Sequence, residues 1–92
     1  MAGHAPQQFT IRGSETIHVE VDRDFTVRVE FSSELTSRPI VPSGDCVNSL
    51  GYAKVSPTAV EYHMVAIKLG KQELDFGSGC VAKVAVMKAT GT

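Results

Sequence analysis

The chain has no excess of either charge: Lys and Arg number 9 against 10 Asp and Glu in 92 residues. A nucleic-acid partner needs a basic field and a nucleic-acid mimic an acidic one, so the balance argues against both, and no nucleic-acid partner is expected. Long apolar runs are also missing, which leaves no candidate membrane span. The opening MAGHAPQQ lacks the basic and apolar regions of a secretory signal. That points to a virion or cytoplasmic protein, or to an extracellular or periplasmic one if Met1 begins a recombinant mature form. Cysteine occurs only at Cys46 and Cys80, far apart and without a CxxC motif. Two readings stay open. A bridge would close a loop of about 35 residues and stabilise by about 3 to 4 kcal/mol on the chain-entropy estimate. In a reducing compartment the two would instead be buried thiols acting as small hydrophobes.

What is present is alternation. ETIHVEVDRDFTVRVEF, Glu15 to Phe31, changes from polar to apolar at nearly every step. A period of two with many β-branched residues excludes a helix and predicts two strands. Folded as a hairpin around Asp22, Arg23 and Asp24, the stretch sets Val21 against Phe25, Val19 against Val27 and Ile17 against Val29. On the other face Glu20 falls beside Thr26, His18 beside Arg28 and Thr16 beside Glu30, a solvent ladder worth tenths of a kcal/mol per pair.

The C-terminal half has the same character. In VAIKLGKQELDF a Gly70-Lys71 turn predicts Ile67 opposite Leu74, Val65 opposite Phe76 and Lys68 opposite Glu73. GSG at Gly77 to Gly79 then pairs Phe76 with Cys80, Leu74 with Ala82 and Glu73 with Lys83. Lys68, Glu73 and Lys83 form a row of alternating sign on the outside, with Val60, Tyr62 and Met64 continuing the phase of Lys68. The expected core is Ile17, Val19, Val21, Val27, Val29, Ile67, Leu74, Phe76, Val84 and Val86. Between the halves, SSELTSRPIVPSGDCVNSLG has no sustained period and reads as a crossover loop with one edge strand at Pro39 to Val41. Tyr52 to Val55 and Phe9 to Arg12 are further short strands.

About seven short strands separated by turns predict an all-β fold. The expected form is a small antiparallel β-sandwich of Greek-key or immunoglobulin-like architecture. The tryptophan that marks true immunoglobulin domains is absent. One domain spans 1–92, with a flexible N-terminal arm over 1–8 and a frayed tail over 89–92.

Residues that carry chemistry are scattered. His4, His18 and His63 have no neighbour at ligand spacing, and a zinc site would require the His18-Glu20 and His63-Glu61 strands to meet. Asp22 and Asp24 form a DxD turn with too few oxygens for calcium. GSGC places Ser78 on a glycine turn without the strand-to-helix elbow of a catalytic serine, and Cys80 shares the inward phase of Ala82 and Val84. No catalytic residue, metal or cofactor is expected. Surface remains, and open sheet edges attract partners. The leading expectation is a non-enzymatic interaction or assembly protein, such as a virion component or surface-appendage subunit. It would bind another protein or copies of itself through edge strands and an arm carrying Phe9, Ile11 and Arg12. The alternative is a small intracellular inhibitor, of the kind phages encode, that blocks a macromolecular target.

Overall fold

A computed structural model of the chain describes residues 7–34, 38–42 and 44–88. Seven strands account for most of them: β1 (Gln7–Ile11), β2 (Ser14–Glu20), β3 (Asp24–Glu30), β4 (Val47–Ser56), β5 (Ala59–Ala66), β6 (Gly70–Gly77) and β7 (Cys80–Met87). They form a four-stranded sheet in the order β1-β3-β5-β4 and a three-stranded sheet in the order β2-β7-β6. The fold is thus the expected all-β sandwich, divided into four strands and three. The sheets are mixed rather than purely antiparallel: β1 runs parallel to β3 and β2 parallel to β7. Of the arm expected over 1–8, residues 7 and 8 open β1, and 1–6 lie outside the described residues with the tail over 89–92.

Alternation does what it promised for the core. Ile17, Val19, Val27, Val29, Leu74, Phe76, Val84 and Val86 are all buried, together with Ile11, Phe25, Phe31 and Val47. Val21 packs against this cluster half-buried.

The pairing is different from the expected one. β2 and β3 do not form a hairpin; they face each other across the core. Sheets pack about 10 Å apart, a span that the three residues Val21, Asp22 and Arg23 can cover. The backbone groups of that arch bond outward to other strands: Val21 N donates to Met87 O, Asp22 N to Ala66 O, and Ala66 N to Arg23 O. Asp22 takes a positive φ of 65° to make the turn. His18 therefore does not stand beside Arg28; the two lie on opposite outer faces of the molecule.

The Gly70-Lys71 hairpin is replaced in the same way. Ile67, Lys68 and Leu69 arch from β5 in one sheet to β6 in the other, and the N–H groups of Ile67 and Lys68 both donate to Cys46 O. Ile67 is 49% exposed on this arch rather than in the core. The phase of β5 is inverted: Val60, Tyr62, Met64 and Ala66 are fully buried, and Glu61, His63 and Val65 face outward. Lys68 leaves the alternating-sign row. The third turn is as expected, since β6 and β7 form a hairpin with Leu74 opposite Ala82 and Glu73 opposite Lys83. A register shift next to the turn sets Gly77, not Phe76, opposite Cys80.

The proline-rich crossover forms no strand at Pro39 to Val41. Proline removes the donor a ladder needs, and this segment instead runs along the side of β6. Ile40 packs where a side chain on Gly77 would be, and Gln72 Oε1 accepts from Cys46 N (2.8 Å) and Val47 N (3.1 Å). The strand expected at Tyr52 to Val55 is the second half of the longer β4.

Candidate interaction site

The arm residues complete the chain's own sheet. β1 pairs with β3 from Gln7 opposite Phe25 to Ile11 opposite Val29. Ile11 is fully buried, so its side chain fills its own core and is not offered to a partner pocket. Phe9 is half-buried and meets Phe25 edge to face, with ring centroids 6.3 Å apart. Arg12 turns the chain toward β2, with its N–H on Glu15 Oε2 and its Nε 2.7 Å from Glu30 Oε1.

The two outer faces differ in how their charges are used. On the four-stranded sheet, Arg12, Glu30, Arg28 and Glu61 form one chain of ion pairs at 2.7, 3.1 and 3.4 Å. Hydrogen bonds from Arg12 and then Arg28 hold the Glu30 carboxyl below the ordinary carboxylate range. Beside this chain Thr26 meets His63 Nδ1 at 3.5 Å. On the three-stranded sheet the registers stack Thr16, Lys83 and Glu73 in one row and His18, Ala85 and Lys71 in the next. An open depression of about 350 Å³ lies over the small Ala85. The charges around it are of mixed sign and face solvent, which keeps a face soluble without selecting one ligand.

Edges distinguish themselves more sharply. The four edge strands are β1 and β4 in one sheet and β2 and β6 in the other. Along β6 lies the crossover, tied down at Gln72 and Gly77. β4 carries two register shifts, between Ser49 and Gly51 and between Lys54 and Ser56, and presents Lys54. Bulges and lysine are how sheet edges are blunted against pairing. β1 and β2 have neither: each is in unbroken register with its neighbour and carries no lysine or proline. They lie on the same side of the sandwich, joined by Arg12 and Gly13, and touch across the layers. Phe9 packs half-buried against the core cluster to which Ile17 and Val19 belong. The hairpin reading hid this edge, because it gave β2 a partner strand on the side that has no neighbour among the described residues.

The other candidate residues are dispersed. Cys46 and Cys80 are both free thiols, so the bridged reading is corrected. The Cys46 sulfur packs against Gly70 at one end of β6, whereas Cys80 is paired with Gly77 at the other. At a rise of about 3.3 Å per residue these ends are about 20 Å apart, beyond the roughly 7 Å Cα separation a disulfide tolerates. Burial, with a smaller effect from Glu15, pushes the Cys80 thiol pKa up and away from the thiolate a nucleophile needs. Ser78 sits exposed at a positive φ of 53° in the tight β6-β7 turn. His18 and His63 stand on opposite faces, and His4 lies outside the described residues. Among the described residues, no three of His, Cys, Asp and Glu converge as a metal set would, and no helix is long and apolar enough to cross a membrane.

No family model matches the chain, and no curated protein or solved structure is significantly similar to it.

Proposed function

We propose that this chain is a non-enzymatic interaction or assembly module that engages a neighbour by strand addition along the side formed by β1 and β2. The observation that carries the reading is the contrast among the edges: one side of the sandwich is covered or bulged, and the other is regular and has no neighbour among the described residues. Unpaired N–H and C=O groups along an open edge supply affinity, and alternate side chains supply selectivity. Phe9 and Arg12 flank this edge, so two of the three arm residues keep a place in the reading while Ile11 serves the core.

The test compares two double variants in copurification from the source cells, followed by reconstitution from pure components. Gln8→Lys with Thr16→Lys charges the open edges, and Arg28→Ala with Glu61→Ala empties the paired network on the four-stranded sheet. The neighbour should be retained by wild type and by the face variant, and lost by the edge variant. Retention by the edge variant together with loss by the face variant would assign binding to the face and sink the proposal.

One observation favours a second reading, a small inhibitor docking on a macromolecular target. The thiols are free and too far apart to bridge, so the fold has no need of an oxidising compartment. Both readings use the same edge; they differ in whether binding builds an assembly or blocks a target.

A further inference from the structure

We infer that the β1/β2 side is a two-fold interface with a second copy of this chain, in which β2 pairs antiparallel with β2 and β1 with β1. This rests on the strand-addition reading and names its partner.

Self-complementarity is the observation. An antiparallel pair of identical strands centred on Ile17, the midpoint of β2, sets Thr16 opposite His18, Ser14 opposite Glu20 and Glu15 opposite Val19. The same operation centred on Phe9, the midpoint of β1, sets Gln8 opposite Thr10 and Gln7 opposite Ile11. No like charges meet in either ladder, and each residue keeps its inward or outward face, as the period of two demands. Isologous pairing requires this property of a surface.

Geometry lets one axis serve both ladders. β1 and β2 diverge from the Arg12-Gly13 turn, so Phe9 and Thr16 each lie two residues from the strand end at that turn and stand at nearly the same height. A two-fold axis normal to the sheets and passing close to Phe9 and Ile17 therefore continues both layers at once. The result is an eight-stranded sheet over a six-stranded one. In this pairing the half-exposed ring of Phe9 lies opposite its symmetry mate and extends the core cluster against which it packs. The opposite side is unsuited to the same operation, because β4 is bulged twice and β6 is covered.

Thr16 and His18 are exposed in the single chain, so changing them tests the register without disturbing the core. Sedimentation equilibrium of the full chain should show a concentration-dependent rise from 9.9 kDa to twice that mass. Thr16→Lys combined with His18→Lys sets lysine against lysine twice per dimer and should raise the dissociation constant at least tenfold. Thr16→Lys combined with His18→Glu sets opposite charges face to face and should restore the wild-type value. Unfolding midpoints of the two double variants, which share the change at Thr16 opposite Lys83, should agree at a concentration where both are monomeric, which separates association from folding. Wild type remaining at the single-chain mass up to millimolar concentration overturns the inference; the copurification test above still decides the wider strand-addition reading. A dimer that persists equally in both double variants, or one that the opposite-charge pair fails to restore, also overturns it.

Discussion

Tyr62 is fully buried, its ring tilted against Phe76 with centroids 4.7 Å apart, and its hydroxyl has no hydrogen-bond partner among the described residues. An unpaired buried hydroxyl costs about 1 to 3 kcal/mol, so Tyr62→Phe should leave the urea midpoint unchanged or raise it. Burial also pushes this phenol up to about 12, from an ordinary value near 10. The sign follows from the raised folded value. Stability from the neutral phenol is complete below pH 10 and is lost as the pH climbs from 10 toward 12, because the unfolded chain ionises first. Over that window the stability of wild type should fall more steeply than that of Tyr62→Phe by about 1.4 kcal/mol per pH unit, the value of one proton. Parallel slopes for the two proteins would refute the burial of the phenol. Gln72 combines a paired and an unpaired group: its Oε1 accepts from the backbone N–H groups of Cys46 and Val47, while its buried Nε2 has no hydrogen-bond partner among the described residues. Gln72→Ala strands both N–H groups, and denaturant titration should show a loss of about 1 to 3 kcal/mol.

At the scale of the elements, inward phase and strand partner are separate questions. For β2 and β3 the phase was legible, since Ile17, Val19, Val27 and Val29 point to the core whether the strands pair in one sheet or face each other across two. The partner was not legible, because a three-residue connection suits a tight hairpin and also spans the gap between layers. In β5 that ambiguity spread. Assuming a hairpin at Gly70 carried the phase of β6 backward onto β5, although Glu61 and His63 alternating with Val60, Tyr62 and Met64 already held the observed answer. A pair of truncations separates the two arrangements. Val29→Ala, at a fully buried site, should cost about 1 to 3 kcal/mol, whereas Ile67→Ala, on the exposed arch, should stay within about 0.5 kcal/mol. Comparable losses at both positions in chemical denaturation would restore Ile67 to the core and refute the arch.

The whole molecule decides the cysteines and the candidate interface. Cys46 and Cys80 occupy opposite ends of β6, so air oxidation should not join them within one chain. Thiol titration in denaturant without reductant should return both sulfhydryls per chain, and a result near none in monomeric protein would contradict the arrangement of the ends. By itself, the sequence determined the all-β class, the β6-β7 hairpin and most of the core. Those depend on a period of two and on glycine at the Gly77 to Gly79 turn, properties local to a few residues. Tertiary structure alone decided which strands are neighbours, that the crossover lies along β6, and that β1 and β2 each have a side without a neighbour among the described residues. Edge status belongs to a strand's surroundings: whether a backbone N–H is paired depends on segments distant in the chain. No pattern within SETIHVE records that its parallel neighbour is β7, or that its other side has none among the described residues.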